Sequence, residues 1–130
     1  MKRVFVNGTF DVLHQGHLEL LAYARSLGDH LTVAIDSDRR VREKKGPTRP
    51  INNHQERAIM LQAIRWVDDV KEFDSDEDLI NLIKTCDIMV KGSDYQGQPI
   101  VGEEFIKVVF FERIEPYSTT KKIQDIAVRR

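Results

Sequence analysis

Several things are scarce in this 130-residue chain, and each scarcity removes a class of function. There is one cysteine, Cys86, so a disulfide framework is excluded and a reducing compartment suits the composition. No apolar run approaches the length needed to cross a bilayer, and the first residues, Met1-Lys2-Arg3-Val4, lack the apolar stretch of a signal peptide. A cytoplasmic protein without a membrane partner is expected. Charge of one sign is not in excess: 20 Lys and Arg face 21 Asp and Glu, for a net charge of -1. Aromatics make up only 8% and do not interleave with basic residues. Both facts weigh against a nucleic-acid partner. The first glycine-bearing turn lacks Gly-x-Gly-x-x-Gly, which argues against a dinucleotide oxidoreductase. No repeat, linker or low-complexity stretch is evident, and the length suits a single domain spanning 1–130.

What is present is organised around Asn7-Gly8-Thr9-Phe10-Asp11-Val12-Leu13-His14-Gln15-Gly16-His17. It follows an apolar strand pattern, Lys2 to Val6, and precedes an amphipathic segment running to about Leu27. It is therefore a strand-to-helix junction. His14 and His17 stand three residues apart, so on a first helical turn they face one side. The free amides of that turn favour an anion. Paired imidazoles beside such amides suit phosphate oxygens. They suit a metal less well, because no Cys or acidic ligand stands at metal spacing beside them.

The remaining pattern alternates. Leu31 to Ile35 reads as a β-branched strand, which completes a βαβ unit. From Asp36 to Asn53 comes the most basic stretch, with Arg39, Arg40, Arg42, Lys44 and Lys45 ahead of Gly46-Pro47 and Arg49-Pro50. The glycine and prolines argue against a continuous helix, so a basic loop at a strand end is expected. Asn53 and Glu56 form a capping-box pair ahead of a helix. That helix is expected to carry Arg57 and Arg65, eight residues apart, on one face. Val67 to Phe73 reads as a weak strand and Asp78 to Lys84 as a helix. Ile88 to Val90 and Lys107 to Phe111 read as strands, with a brief helical turn at Glu103 to Phe105. Ser118 looks like the cap of a terminal helix from Thr119 to about Val128. The expected fold is Rossmann-like α/β: a mostly parallel five-stranded sheet between two helical layers, with the first strand central.

Gly8, Phe10, Asp11, His14, Gly16 and His17 resemble the strand-glycine-phenylalanine-aspartate…His-x-Gly-His segment of the cytidylyltransferase-like nucleotidyltransferase superfamily. Three further stretches extend the resemblance: Arg65-Trp66-Val67-Asp68, Lys91-Gly92-Ser93-Asp94-Tyr95, and Arg113 with Ser118-Thr119-Thr120. It covers nearly the whole chain. It implies transfer of a nucleotidyl group from a nucleoside triphosphate to a phosphorylated acceptor, with release of pyrophosphate. It implies His14 bridging the α and β phosphates, His17 holding the α-phosphate, and Lys44 reaching the same group. Lys45 is the substitute if the register is off by one. Asp11 is expected to orient His14 or to help hold Mg²⁺ through water. Mg²⁺ itself would be carried mainly by the triphosphate. Gly8, Thr9, Phe10 and Gly16 would form the phosphate turn. Arg57 or Arg65 would reach phosphate, Gly92 would allow close approach, Asp94 would accept from a hydroxyl, and Tyr95 would stack or pack. Arg113, Ser118, Thr119 and Thr120 would hold the departing pyrophosphate at a second helix start.

Substrate choice is divided between branches. The Arg65-Trp66-Val67-Asp68 and Arg113…Ser118-Thr119-Thr120 stretches resemble glycerol-3-phosphate cytidylyltransferases. Asn7-Gly8, Lys45 to Asn52 and Lys91-Gly92-x-Asp94-Tyr95 resemble the adenylyltransferase domain that makes ADP-heptose. Archaeal FAD synthetases share the framework. The two arginines favour CTP over ATP, with a small phosphorylated polyol or sugar as acceptor. The resemblance also implies a homodimer.

Overall fold

The structure is a computed structural model, and residues 1–112 are described. Arg113, Ser118, Thr119, Thr120 and the expected terminal helix lie outside them.

Five strands form one sheet: β1 (Arg3–Gly8), β2 (His30–Asp36), β3 (Asp69–Phe73), β4 (Ile88–Gly92) and β5 (Lys107–Phe111). Their order is β3-β2-β1-β4-β5, and every neighbouring pair is parallel. The first strand is central, as its sequence implies. Val4, Phe5 and Val6 are all essentially inaccessible, and a strand covered on both faces reads as an unbroken apolar run. By contrast β3 lies at an edge and exposes Lys71 and Glu72, charges that discourage pairing with another sheet.

Helices cover both faces. On one, α1 (Gln15–Ser26) and α3 (His54–Gln62) contribute Leu21, Ala24 and Leu61 to a core with Val4, Val6, Leu31, Val33, Ile35 and Val90. On the other, α4 (Asp76–Ile83) contributes Leu79 and Ile83 to a core with Phe5, Ala34, Phe73, Met89 and Ile100. Each fully buried Val, Leu, Ile, Phe or Met side chain among them contributes roughly 1.5–3 kcal/mol. Alternation along the strands thus sorts residues to the α1 side or the α4 side. Among the described residues no helix is long and apolar enough to cross a membrane.

Two expectations are corrected. The basic stretch contains a helix, α2 (Asp38–Lys45), capped by Ser37 and ended at Gly46, where φ is 103°. Gly46 and Pro47 stop this helix rather than prevent it. Second, α3 ends at Gln62 with Ala63 as its C-cap. Arg65 therefore lies in the turn beyond the helix and does not share a helical face with Arg57. The capping box of Asn53 and Glu56 is present as expected.

The chain lays down β1, β2 and β3 in one direction, then returns to β4 on the far side of β1. The order reverses between β1 and β4. In open α/β sheets the ligand crevice opens at the carboxyl ends of the strands flanking that point.

Candidate active site

At that place a cleft of about 470 Å³ opens. One wall is the β1–α1 junction. Gly8 ends β1, and a Cβ there would come within 3.1 Å of the Phe10 ring. Phe10 takes a left-handed backbone (φ 49°), a costly conformation for a non-glycine residue that surrounding packing must hold. Its buried ring lies 5.3 Å from that of His17.

The two histidines build an imidazole version of the capping box. His14 is the N-cap of α1, and its Nδ1 accepts from the Gly16 amide at 3.1 Å. The His17 Nδ1 in turn accepts from the His14 amide at 3.1 Å. The rings lie 4.0 Å apart. Because both Nδ1 atoms accept, the neutral rings carry their proton on Nε2 and can donate from it. The first turn of α1 contains no acidic residue, so no carboxylate of that turn offsets its favour for an anion. His17 lines the cleft; His14 is buried at 7% exposure against it.

The opposite wall is basic. Lys44, Lys45, Arg40 and Arg49 all line it. Lys44 is held only lightly: its Nζ lies 3.4 Å from Asp36, and its side chain is 54% exposed. Asp36, at the end of β2, is buried and also accepts from the Arg40 Nε at 3.3 Å.

Asp11 lines the cleft and also braces its wall. Its Oδ1 accepts from the Asn52 amide and its Oδ2 from the Ile51 amide, both at 2.8 Å, with the Arg49 Nε at 3.3 Å. Both oxygens tie the segment around residues 49–52 to the phosphate turn. Arg57 is turned away from the cleft. Its side chain is fully buried and donates to the Thr9 carbonyl (3.0 Å), the Asn52 carbonyl (3.1 Å) and Asp38 (2.6 Å). Burial alone would raise the Asp38 carboxyl, but hydrogen bonds from His54 and Arg57 outweigh it and hold it below the usual carboxylate range. Arg57 thus fixes the turn carrying Thr9 instead of touching phosphate. Arg65 is exposed and does not line the cleft.

The third side is the end of β4. Gly92, Asp94 and Tyr95 line the cleft as expected. The space beside Gly92 is taken by Asp94 itself: a Cβ on Gly92 would stand 2.5 Å from the Asp94 Oδ1. Glycine is needed there for the aspartate to fold back. Lys91 joins them, and burial pushes its ammonium down to about 8, partly opposed by Asp36 and Asp94. Among the described residues no group of three or more His, Cys, Asp or Glu could hold a metal ion.

The sequence reading missed Asn7, Asp36, Arg40, Arg49 and Lys91 as cleft residues. For three of them a signal existed. Asn7, Asp36 and Lys91 each follow an apolar strand residue by two positions, so each continues one face of the sheet past its core.

A family model described as "Cytidylyltransferase-like" matches residues 5–125. The chain belongs to the cytidylyltransferase-like family. Among curated proteins, this cytidylyltransferase-like chain is 48% identical over 126 residues to "Bifunctional protein HldE" of Campylobacter fetus subsp. fetus, covering 95% of this chain and 27% of that protein. It is 46% identical over 130 residues to the protein of the same name from Sulfurimonas denitrificans, covering 96% and 27%. The chain thus spans about a quarter of the length of these relatives. Among solved structures, a lipopolysaccharide core biosynthesis protein from Thermoplasma volcanium GSS1 superposes with a TM-score of 0.68 at 27% identity, covering 91% of this chain and 99% of that one.

Proposed function

We propose that this chain transfers an adenylyl group from ATP to heptose 1-phosphate, releasing pyrophosphate and forming ADP-heptose. The observation that carries nucleotidyl transfer is the reciprocal capping of α1 by His14 and His17 at the cleft. It sets the Nε2–H groups of two imidazoles at a helix start whose dipole favours negative charge, an arrangement that suits phosphate. The choice of ATP and a heptose rests on the resemblance of Asn7-Gly8, Lys45 to Asn52 and Lys91-Gly92-x-Asp94-Tyr95 to the adenylyltransferase domain that makes ADP-heptose, together with the similarity to the proteins named HldE. The name of the Thermoplasma protein supports the same direction. That similarity outweighs the preference for CTP and glycerol 3-phosphate drawn from the arginines. Of those, Arg65 stands away from the cleft, and Arg113 lies outside the described residues.

In the proposed reaction an oxygen of the acceptor's phosphate attacks the α-phosphorus of ATP. A new phosphorus–oxygen bond forms as the bond from the α-phosphorus to the bridging oxygen breaks, and pyrophosphate departs with that electron pair. A phosphate dianion is already nucleophilic, so no proton must be removed. The protein's work is alignment and neutralisation of charge in the transition state. His17, backed by His14, would donate to the α-phosphate. Lys44 would leave its loose contact with Asp36 and close on the same group, with Lys45 beside it. Mg²⁺, carried by the triphosphate oxygens, would supply further charge neutralisation. The cleft's imidazole and ammonium donors suit an ion that arrives on phosphate.

The test is a pyrophosphate-release screen with Mg²⁺, crossing ATP and CTP with heptose 1-phosphate, glycerol 3-phosphate and FMN. Turnover is expected with ATP and heptose 1-phosphate. Turnover only with CTP and glycerol 3-phosphate, or only with FMN, would replace this substrate assignment. No turnover with any pair would overturn the enzyme reading.

A further inference from the structure

Helix α2 is joined to the rest of the chain unevenly. Val41 is its one buried residue, so apolar packing alone holds it weakly. Eight residues are too few for a helix to be stable by itself. Charged contacts supply the remainder, and they gather at the helix start. Arg39 donates to the Asp74 carboxylate at 2.9 Å and to the Asp74 carbonyl at 2.6 Å. The Ser37 hydroxyl, at the N-cap, donates to the same carboxylate at 2.6 Å. Arg40 reaches Asp76 at 2.6 Å, while its Nε lies 3.3 Å from Asp36. Asp38 is held by Arg57 and His54.

The far end is different. It stops at Gly46, where φ is 103° and nothing stands within 4 Å of the place a Cβ would take. The last turn, which carries Lys44 and Lys45 to the cleft, thus lies between a start fixed by ion pairs and an uncrowded glycine. Arg40 and Lys44 are four residues apart and share one face of α2. Both approach the same Asp36 oxygen, at 3.3 and 3.4 Å. The Arg40 side chain is only 14% exposed, and its guanidinium lies 5.3 Å from the centre of the Phe73 ring, so its planar fork has little room to turn. A line of contacts therefore runs from Asp76 through Arg40 to Asp36 and Lys44. Asp36, Arg40 and Lys44 line the cleft. Asp76, at the start of α4 and with its side chain 60% exposed, does not.

We propose that Asp76 is a positioning residue for Lys44: by fixing Arg40 from outside the cleft, it sets α2 where its last turn presents Lys44 to the α-phosphate. The proposal rests on the nucleotidyltransferase reading and adds what aims its lysine. With the Asp76 charge gone, one end of the Arg40 guanidinium loses its partner, and the fork can turn fully onto Asp36. Arg40 then competes with Lys44 for that oxygen, and the last turn of α2 shifts. The start of α2 keeps its ties through Arg39, Ser37 and Asp38, so the helix loosens without unfolding. Glu77 and Asp78 keep the first turn of α4 acidic, so α4 itself loses little. An ion pair with one well-exposed partner has a small effect on global stability, which separates loss of aim from loss of fold.

Two readouts test this, one independent of turnover. Hydrogen exchange of the free protein is followed over residues 42–45. Steady-state kinetics are measured with Mg²⁺ and the substrate pair that turns over in the pyrophosphate-release screen. Asp76→Asn is expected to speed exchange over 42–45 and to lower kcat about 3- to 10-fold, the same modest energy read as a rate. Both KM values should stay within about twofold, since Lys44 acts on the transition state. Asp76→Glu, which keeps the charge, should restore most of the kcat. In a Lys44→Met background, Asp76→Asn should lower kcat no further, because residues that act as one unit are not additive. An equal fall in both backgrounds would mean that Asp76 serves the fold and not Lys44, and the proposal fails. A raised KM for the nucleotide with kcat unchanged would mean that Arg40 meets the substrate directly, and the proposal fails again. If the wild type turns over and Asp76→Asn leaves kcat unchanged, the positioning role fails while the enzyme reading stands. If no pair turns over in the wild type, the enzyme reading falls and the positioning role falls with it.

Discussion

Two cations of this chain, Arg57 and Lys91, occupy opposite situations. Arg57 looks in sequence like a phosphate ligand, yet its side chain is fully buried and all its donating groups serve Thr9, Asn52 and Asp38. Lys91 sits at the end of a strand, opens a stretch in which the sequence gives roles only to Gly92, Asp94 and Tyr95, and stands in the cleft without an ion pair among the described residues. The difference teaches which charges build the site and which remain available to a ligand. Saturated groups, Asp11 and Arg57 among them, fix the shape of the phosphate turn. Groups left short, such as Lys91 and the loosely held Lys44, are the ones a substrate can complete.

The contrast breaks most visibly at Arg57. Arg57→Met leaves Asp38 without its buried partner and frees the Thr9 and Asn52 carbonyls. It should cost about 2–4 kcal/mol, chiefly for two carbonyls left without their donor, since Asp38 is partly exposed and keeps its contact with His54. Chemical denaturation measures it, and a loss under about 1 kcal/mol would mean that Arg57 is not the brace of the turn.

Asp11 comes next. Asp11→Ala removes two backbone contacts and one arginine contact to the segment around 49–52, and should cost roughly 1.5–3 kcal/mol. Hydrogen exchange at the Ile51 and Asn52 amides should accelerate. Unchanged protection at both amides would contradict the anchoring role.

The smallest effect has the opposite sign. Lys91 is lowered from its ordinary 10.5 to about 8, by burial first, with Lys44 adding to the shift and Asp36 and Asp94 opposing it. Between those two values the unfolded chain holds a proton that the folded chain has released, so this group makes stability rise with pH across that window. Below about 8 both states are protonated, and the full penalty of the desolvated ammonium is present. Lys91→Met removes it and should raise the melting temperature at pH 7 by about 2–5 °C. The gain should shrink as pH rises from 8 to 10.5. A pH-independent gain would point to packing rather than charge.

Much of this was legible in the sequence, for reasons that can be named. The run Val4-Phe5-Val6 marks a strand covered on both faces, which placed β1 at the centre. His14 and His17 straddle a helix start, and Asn53 with Glu56 marks another. The helix α2 was hidden because only Val41 on it is buried, too narrow an apolar stripe to register, although Ser37 stood ready as its cap. Arg57 and Arg65 look alike in sequence. Only tertiary packing distinguishes a buried brace from an exposed residue beyond a helix end. Asn7, Asp36 and Lys91 come together through strand order, which no local pattern encodes.

The central claim is that the histidine pair at the start of α1 steadies a phosphorus under attack. The most direct measurement is the kcat for pyrophosphate release by His17→Ala, with ATP and heptose 1-phosphate and with folding checked by circular dichroism. A fall of about 10²- to 10³-fold in a folded protein is expected, as for removal of other preorganised donors. A folded variant with undiminished kcat would contradict the claim.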